Sequence, residues 1–235
     1  MSARDADEKT ARRLDSQEAF VGSVTHSLKG ALNGLQGGLY MLESGLSNGN
    51  AGRVGEGAVM IKRNVEKARS LVSNVLYYAK ERAVETESLH AEEAASRAAA
   101  ACREMAGAQG VSLHEDVEKC RFSAGREEAH ALLCDLLELA IDQASSGGKD
   151  RSVVLSVRPL SGSVEFAVAH DGSPVEPGVL DGALGPVFTP FGADRSGLWL
   201  HAAKRICESC GGSLRVAVDG SGRESFIAGF PRRAG

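Results

Sequence analysis

His26 is the side chain in this sequence best set up to form a bond with an incoming electrophile. Apolar residues around it follow a four-three alternation, Val24, Leu28, Ala31, Leu35, Gly38 and Leu42. Val24 and Leu28 therefore turn toward a packed seam, and His26 falls at the heptad position farthest from it. A neutral imidazole there is a nucleophile for phosphoryl groups. Gly30 and Gly34 follow at i+4 and i+8, and Gly37 and Gly38 continue close to the same face. Each interior glycine costs a helix ~0.8–1 kcal/mol relative to alanine. Two readings account for the glycines. They leave a bare strip where another protein's backbone can come close, or they let paired helices pack tightly. On the first, His26 is a phospho-acceptor above a docking platform of Ser27, Gly30, Asn33, Gly34 and Gly37. Lys29 then attracts the phosphoryl group or an acidic partner. On the second, His26 and Lys29 are solvated surface residues.

The elements that must position His26 are helical. The first 85 residues contain no proline and one obvious break, Ser47-Asn48-Gly49-Asn50-Ala51-Gly52. Beyond the break a second seam runs through Ile61, Val65, Ala68, Val72, Val75 and Ala79. Two such helices joined by a Gly/Asn turn make an antiparallel hairpin. Leu32, Leu39, Leu71, Leu76 and Tyr78 lie off the seams, and one hairpin cannot bury them. A second copy would, so the expectation is a homodimer closed as a four-helix bundle. Residues 1–15 read as a polar N-terminal extension and 16–84 as the hairpin.

Residues 85–235 read as a mixed unit. Helices are expected over 91–105, 127–144 and 197–210. Short strands are expected over 111–117 and 120–123, with hairpins over 153–157/164–169 and 213–218/224–230, and a Gly/Pro-rich loop over 170–196. Helices against one face of a mostly antiparallel sheet make an α+β sandwich.

Composition narrows the partners. The 235 residues carry 27 Lys+Arg against 31 Asp+Glu, a net charge of −4, with 43% hydrophobic and 25% charged residues. An acidic balance without a basic stretch argues against nucleic acid. No apolar run approaches the ~20 residues of a membrane span. The N-terminus Met1-Ser2-Ala3-Arg4-Asp5 is too polar for a secretory signal. Five scattered cysteines read as reduced thiols, which places the chain in the cytoplasm. Cys207-Glu208-Ser209-Cys210 has no second CxxC to complete a zinc site, and no metal site is expected.

Phe20-Val21-Gly22-Ser23-Val24-Thr25-His26-Ser27-Leu28-Lys29-Gly30 resembles the phospho-acceptor box of bacterial sensor histidine kinases. Leu132-Leu133-Cys134-Asp135-Leu136-Leu137-Glu138-Leu139-Ala140 resembles the asparagine-bearing helix of their ATP-binding domain. His170-Asp171-Gly172-Ser173-Pro174-Val175 is similar to the first glycine box. Phe188-Thr189-Pro190-Phe191 is similar to the phenylalanine box, and Ser196-Gly197-Leu198-Trp199-Leu200 to the second glycine box. The boxes stand in the family's order from residue 16 to 232. The resemblance implies the kinase architecture, a dimeric helical hairpin followed by an ATPase-like α+β domain.

The departures from that resemblance fall where the chemistry would be. The family holds magnesium with an asparagine where Leu139 stands, and leucine offers a hard cation no oxygen. The family's adenine-binding aspartate aligns with His170, while Asp171 lies one place along and a one-residue shift would restore it. Arg195 and Trp199 replace glycines flanking Gly197, and five residues between Phe191 and Gly197 leave a short lid. In the acceptor box Ser27 replaces the acidic residue that takes the imidazole proton, and Gly30 replaces the residue that positions water. The resemblance thus implies a dimeric histidine phosphotransferase of a phosphorelay with a degenerate nucleotide site. Such a protein needs no cofactor of its own, because receiver domains of response regulators bring the Mg²⁺. An upstream hybrid histidine kinase is a further possible partner. A divergent but active kinase and a non-enzymatic receiver-binding adaptor are the alternatives.

Overall fold

A computed structural model describes residues 3–79, 84–147, 149–184 and 196–232. For residues 3–20, 23, 66, 70, 73–74, 76–79 and 196–198 it describes the backbone alone. The chain divides into two compact units, 1–80 and 81–235.

The first unit is a helical hairpin of α1 (Ala3–Ser47) and α2 (Ala51–Ala79). α1 runs unbroken from residue 3, so most of the stretch read as a polar extension is helix. No glycine or proline interrupts 3–21. Three residues turn the chain. Gly49 takes a left-handed φ of 64°, and Asn50 Oδ1 accepts from Arg53 N at 3.0 Å, capping α2.

The packed seam differs in phase from the heptads read in the sequence. Ser27, Ala31, Gly38 and Gly45 are buried on α1, opposite Gly57, Asn64 and Leu71 on α2. Leu71, expected off the seam, is 2% exposed, whereas Val72, expected on it, is 53% exposed. α1 carries two interleaved four-three series, and the helices meet on the one with small side chains. A Cβ on Gly57 would lie 2.7 Å from Gly38 O and Leu42 N, so the backbones approach as closely as glycine allows. The large series, Val21, Leu28, Leu32, Leu39 and Leu46, stays exposed on the hairpin.

The second unit places helices on a mixed five-stranded sheet of order β2-β4-β5-β7-β6. Its strands are β2 (Ser112–Val117), β4 (Ser152–Pro159), β5 (Ser163–His170), β6 (Ser213–Val218) and β7 (Glu224–Pro231). β2 pairs β4 in parallel and the other neighbours are antiparallel. A separate antiparallel pair joins β1 (Glu87–His90) to β3 (Arg121–Ala124). The helices are α3 (Ala91–Ala108), α4 (Arg126–Gly147), α5 (Pro177–Leu184) and α6 (Ser196–Ser209).

Strict period-two alternation buries Val153, Leu155 and Val157 on β4 and Val164, Phe166 and Val168 on β5. α4, whose Leu132, Leu133, Leu136, Leu137 and Ile141 are all buried, packs on that face. Phe122, Phe166 and Phe230 form its aromatic centre, with ring centroids 4.9–5.9 Å apart. Two elements were not expected. β1 buries Leu89 between polar neighbours. α5 starts on Pro177 inside the segment read as loop and buries Val179 and Ala183.

Candidate functional site

The first candidate site is the water-facing side of α1. His26, Lys29 and Asn33 are exposed, and Gly30 and Gly37 are half-buried. Thr25, beside His26, spends its hydroxyl on the Val21 carbonyl at 2.8 Å. Two members of the expected docking platform lie elsewhere. Ser27 is buried in the hairpin. A Cβ on Gly34 would stand 2.2 Å from Asn64 Oδ1, and Asn64 is itself buried and donates from Nδ2 to Met60 O at 2.8 Å. Gly34 therefore makes room for a helix partner within the chain. The reason is helical phase: at 100° per residue, i+8 has rotated about 80° away from His26. Gly37 has only the flexible Met60 methyl, 3.2 Å from a notional Cβ.

The second site is the set of positions that would hold a nucleotide in the α/β unit. Leu139 is buried on α4, one turn after Asp135, which is buried too. His170 ends β5 and is completely enclosed. Its Nε2 donates to Glu224 Oε2 at 3.1 Å, and its ring lies 5.3 Å from that of Phe226. Glu224 pairs with His170 in the β5–β7 register and also accepts the Val175 N–H at 3.1 Å. A buried carboxylate thus ties two strands to the loop that follows β5.

The neighbouring Asp171 is engaged by the backbone at the start of β4. Its carboxylate receives Ser152 N at 2.8 Å and Asp150 N at 2.6 Å, clamping the start of β4. Burial works to raise its pKa, but these N–H groups outweigh it and hold the carboxyl below the usual aspartate range. Gly172 fixes the loop against α4, since a Cβ there would lie 2.3 Å from Gln143 O. Gly197 and Trp199 fall within the first turn of α6, with Trp199 half-buried. His201, further along α6, donates Nδ1 to Ala183 O of α5 at 3.0 Å, and burial pushes its pKa down. Phe188, Phe191 and Arg195 lie outside the described residues.

Glu224 was missed in the sequence, although a signal for it existed. It shares parity with Phe226, Ala228 and Phe230, so the alternation that buries those residues also buries it. Among the described residues no group of three or more His, Cys, Asp or Glu side chains is arranged to hold a metal ion. No described helix is long and apolar enough to cross a membrane.

Comparison with solved structures identifies the fold. The Acinetobacter baumannii histidine kinase AdeS matches with a TM-score of 0.60 at 14% identity, over 89% of this chain and 98% of that one. The histidine kinase ThkA, solved in complex with the response regulator protein TrrA, matches with a TM-score of 0.66 at 18% identity, over 99% of this chain and 67% of that one. A histidine kinase from Burkholderia phymatum STM815 matches with a TM-score of 0.51 at 16% identity over 100% of both chains. No protein-family model matches the sequence. No curated protein matches it either. The chain has the sensor histidine kinase fold, a helical hairpin plus an ATPase-like α/β unit.

Proposed function

We propose that this protein is a histidine phosphotransfer protein of a two-component phosphorelay that moves phosphoryl groups between receiver aspartates through His26. One contrast carries the reading: His26 is in water on α1, while the adenine position of the resemblance is filled by the sealed His170–Glu224 pair. In the transfer, a ring nitrogen of His26 attacks the phosphorus of an aspartyl phosphate. The P–N bond forms, the P–O bond to aspartate breaks, and the carboxylate leaves with the electron pair. A second receiver aspartate reverses the step. The receiver's own Mg²⁺ neutralises the equatorial oxygens, so Leu139 is no obstacle. ThkA was crystallised with a response regulator protein, which supports a receiver as the partner.

The exposed series on α1 supports a homodimer. Val21, Leu28, Leu32, Leu39 and Leu46 follow heptad spacing, and Leu32 and Leu39 are 51% and 49% exposed. A second hairpin seated there would complete a four-helix bundle.

The test uses the purified full-length protein. Phosphoryl label from a panel of phosphorylated receivers should appear on His26, and Mg-ATP should give no saturable thermal shift. A site holding ATP at a hundred times its dissociation constant would add ~2.7 kcal/mol. A saturable shift with self-labelling would establish the divergent kinase instead. Receiver binding without label would establish the adaptor.

A further inference from the structure

A cavity of about 270 Å³ lies in the α/β unit where β1, the first turns of α3 and the start of α4 meet. The phosphotransfer reading does not use this part of the chain. That volume is below the ~300–1,000 Å³ of sites for drug-sized ligands, so it suits a small molecule. Leu89 of β1, 4% exposed, and half-buried Ala94 of α3 supply the apolar lining. The charged and polar lining comes from two helix faces, Glu93 and Arg97 on α3 and Arg126 and His130 on α4. Residues four apart share a helix face.

The charges are not paired as the sequence spacing would pair them. Glu93 stands at the i−4 position from which a glutamate ordinarily bridges to an arginine. Arg97 instead donates Nη1 and Nη2 to Glu127 at 3.0 and 3.1 Å. Arg126 donates Nε and Nη2 to Glu87 at 3.1 and 3.0 Å. Both of those carboxylates are outside the cavity lining, so they fix the two guanidinium planes from behind. A guanidinium has five N–H groups, and three remain on each arginine. Both arginines are about half exposed, so a solute reaches them from water. Glu93 is exposed and has no ion pair among the described residues. It stands near enough to Arg126 to help hold that guanidinium charged, after the larger effect of Glu87.

The histidines do not change this balance. His90 Nε2 meets Arg121 Nη1, and arginine only donates, so this nitrogen is an acceptor and the ring proton sits on Nδ1. Burial, with Arg97 adding to it, lowers the pKa of His130, and its ring is neutral at pH 7. The cavity therefore presents two positive groups and one negative group beside an apolar wall. A simple anion would meet Glu93, and a simple cation would meet both arginines. A zwitterion with its two charges one carbon apart satisfies all three.

We propose that this cavity binds a free α-amino acid with a small apolar side chain. Its carboxylate accepts the remaining N–H groups of Arg97 and Arg126, its ammonium donates to Glu93, and its side chain packs on Leu89 and Ala94. The site stands independently of the transfer role of His26.

The test titrates the full-length protein with L-alanine, L-valine and L-leucine, followed by melting temperature and by calorimetry. At least one should bind saturably. The amide of that amino acid lacks the carboxylate, and the deaminated acid lacks the ammonium. Each should bind at least ~tenfold more weakly, because each loses a charge-assisted contact. Arg97→Gln should weaken the amino acid by a similar factor. Glu93→Gln should weaken the amino acid and strengthen the deaminated acid, since the repelling carboxylate is gone. Both side chains are exposed, so neither substitution threatens the fold. No saturable binding of any of the three up to ~10 mM would overturn the site. A deaminated acid binding the wild type as tightly as the amino acid does would make this a plain anion site and overturn the zwitterion. Affinity unchanged in both variants would put the ligand elsewhere and overturn the assignment to this cavity.

Discussion

His26 and His170 fall in the segments that resemble the acceptor box and the first glycine box of histidine kinases, and their surroundings are opposite. His26 projects into water from a helix whose inward face is occupied by residues as small as glycine. His170 is fully enclosed, bonded to a carboxylate and stacked near a phenylalanine. An imidazole in water is available to a partner and contributes little to the fold. One sealed against Glu224 has become part of the core, where leaving either member alone would strand a buried polar group. On the proposed function, the contrast separates a histidine available for transfer from one that holds the fold together.

Exchanging each histidine for glutamine tests that separation most directly. His26→Gln should abolish label transfer from a phosphorylated receiver and leave the melting temperature unchanged. His170→Gln should do the reverse, lowering stability while the rate per folded molecule holds. Transfer surviving in His26→Gln would break the comparison outright.

The exposed leucines of α1 come next. Replacing Leu32 and Leu39 together with lysine should shift light scattering from dimer to monomer, because burying each leucine is worth ~1.5–3 kcal/mol and four would be lost per dimer. The intrachain seam does not include them, so helicity should hold. A wild-type monomer at micromolar concentration would remove the basis of this prediction.

Inside the α/β unit, Glu224→Ala removes the partner of His170 and the acceptor of Val175 N together. Breaking a buried pair costs about 3–5 kcal/mol, to be read as a fall in the denaturant midpoint of the full-length protein. A loss below about 1 kcal/mol would mean that His170 is not held as described.

Gly34→Leu sharpens the comparison within α1 itself. A side chain there meets buried Asn64, not a visiting receiver. The hairpin should lose about 3 kcal/mol, as overpacked cores do, while transfer per folded dimer stays constant. Slower transfer at unchanged stability would restore Gly34 to the docking face.

How far these features could be read in the sequence depended on what fixed them. The order of elements in the α/β unit was legible, because alternation on β4, β5 and β7 and the apolar stripe of α4 are each set by local spacing. His26 is exposed as expected, although Leu28, read beside it as a seam residue, is exposed as well. The pairing face of α1 was not legible. Two four-three series overlap there, with Ala31 and Gly38 in one and Leu32 and Leu39 in the other. Only the three-dimensional approach of Gly38 to Gly57 shows which series faces α2. The fate of His170 was equally hidden, since Glu224 lies 54 residues away and joins it only through β5–β7 register. α5 escaped because eight residues with two glycines and a proline read locally as loop.

Asp171 offers the smallest and most specific test. Its carboxylate accepts two backbone N–H groups at the start of β4, and although burial opposes them, they hold its pKa below the unfolded value of ~3.9. A depressed folded pKa contributes stability that is complete above the unfolded pKa. That stability fades as pH falls, first as the unfolded state protonates and finally as the folded carboxyl does. Hydrogen bonds to a charged group are worth ~1.5–3 kcal/mol, so Asp171→Ala should cost about 2 kcal/mol at pH 7. The difference between wild type and variant should stay level down to about pH 5 and then shrink toward pH 3.5. Using the difference cancels the other depressed carboxyls, Glu127 and Asp219, which both proteins share. If Asp171 instead pointed its carboxylate at a nucleotide base, as the adenine-binding aspartate of a kinase would, its removal would weaken ATP binding and leave stability nearly untouched. Denaturation curves at four pH values, with and without Mg-ATP, distinguish the strand clamp from the base acceptor.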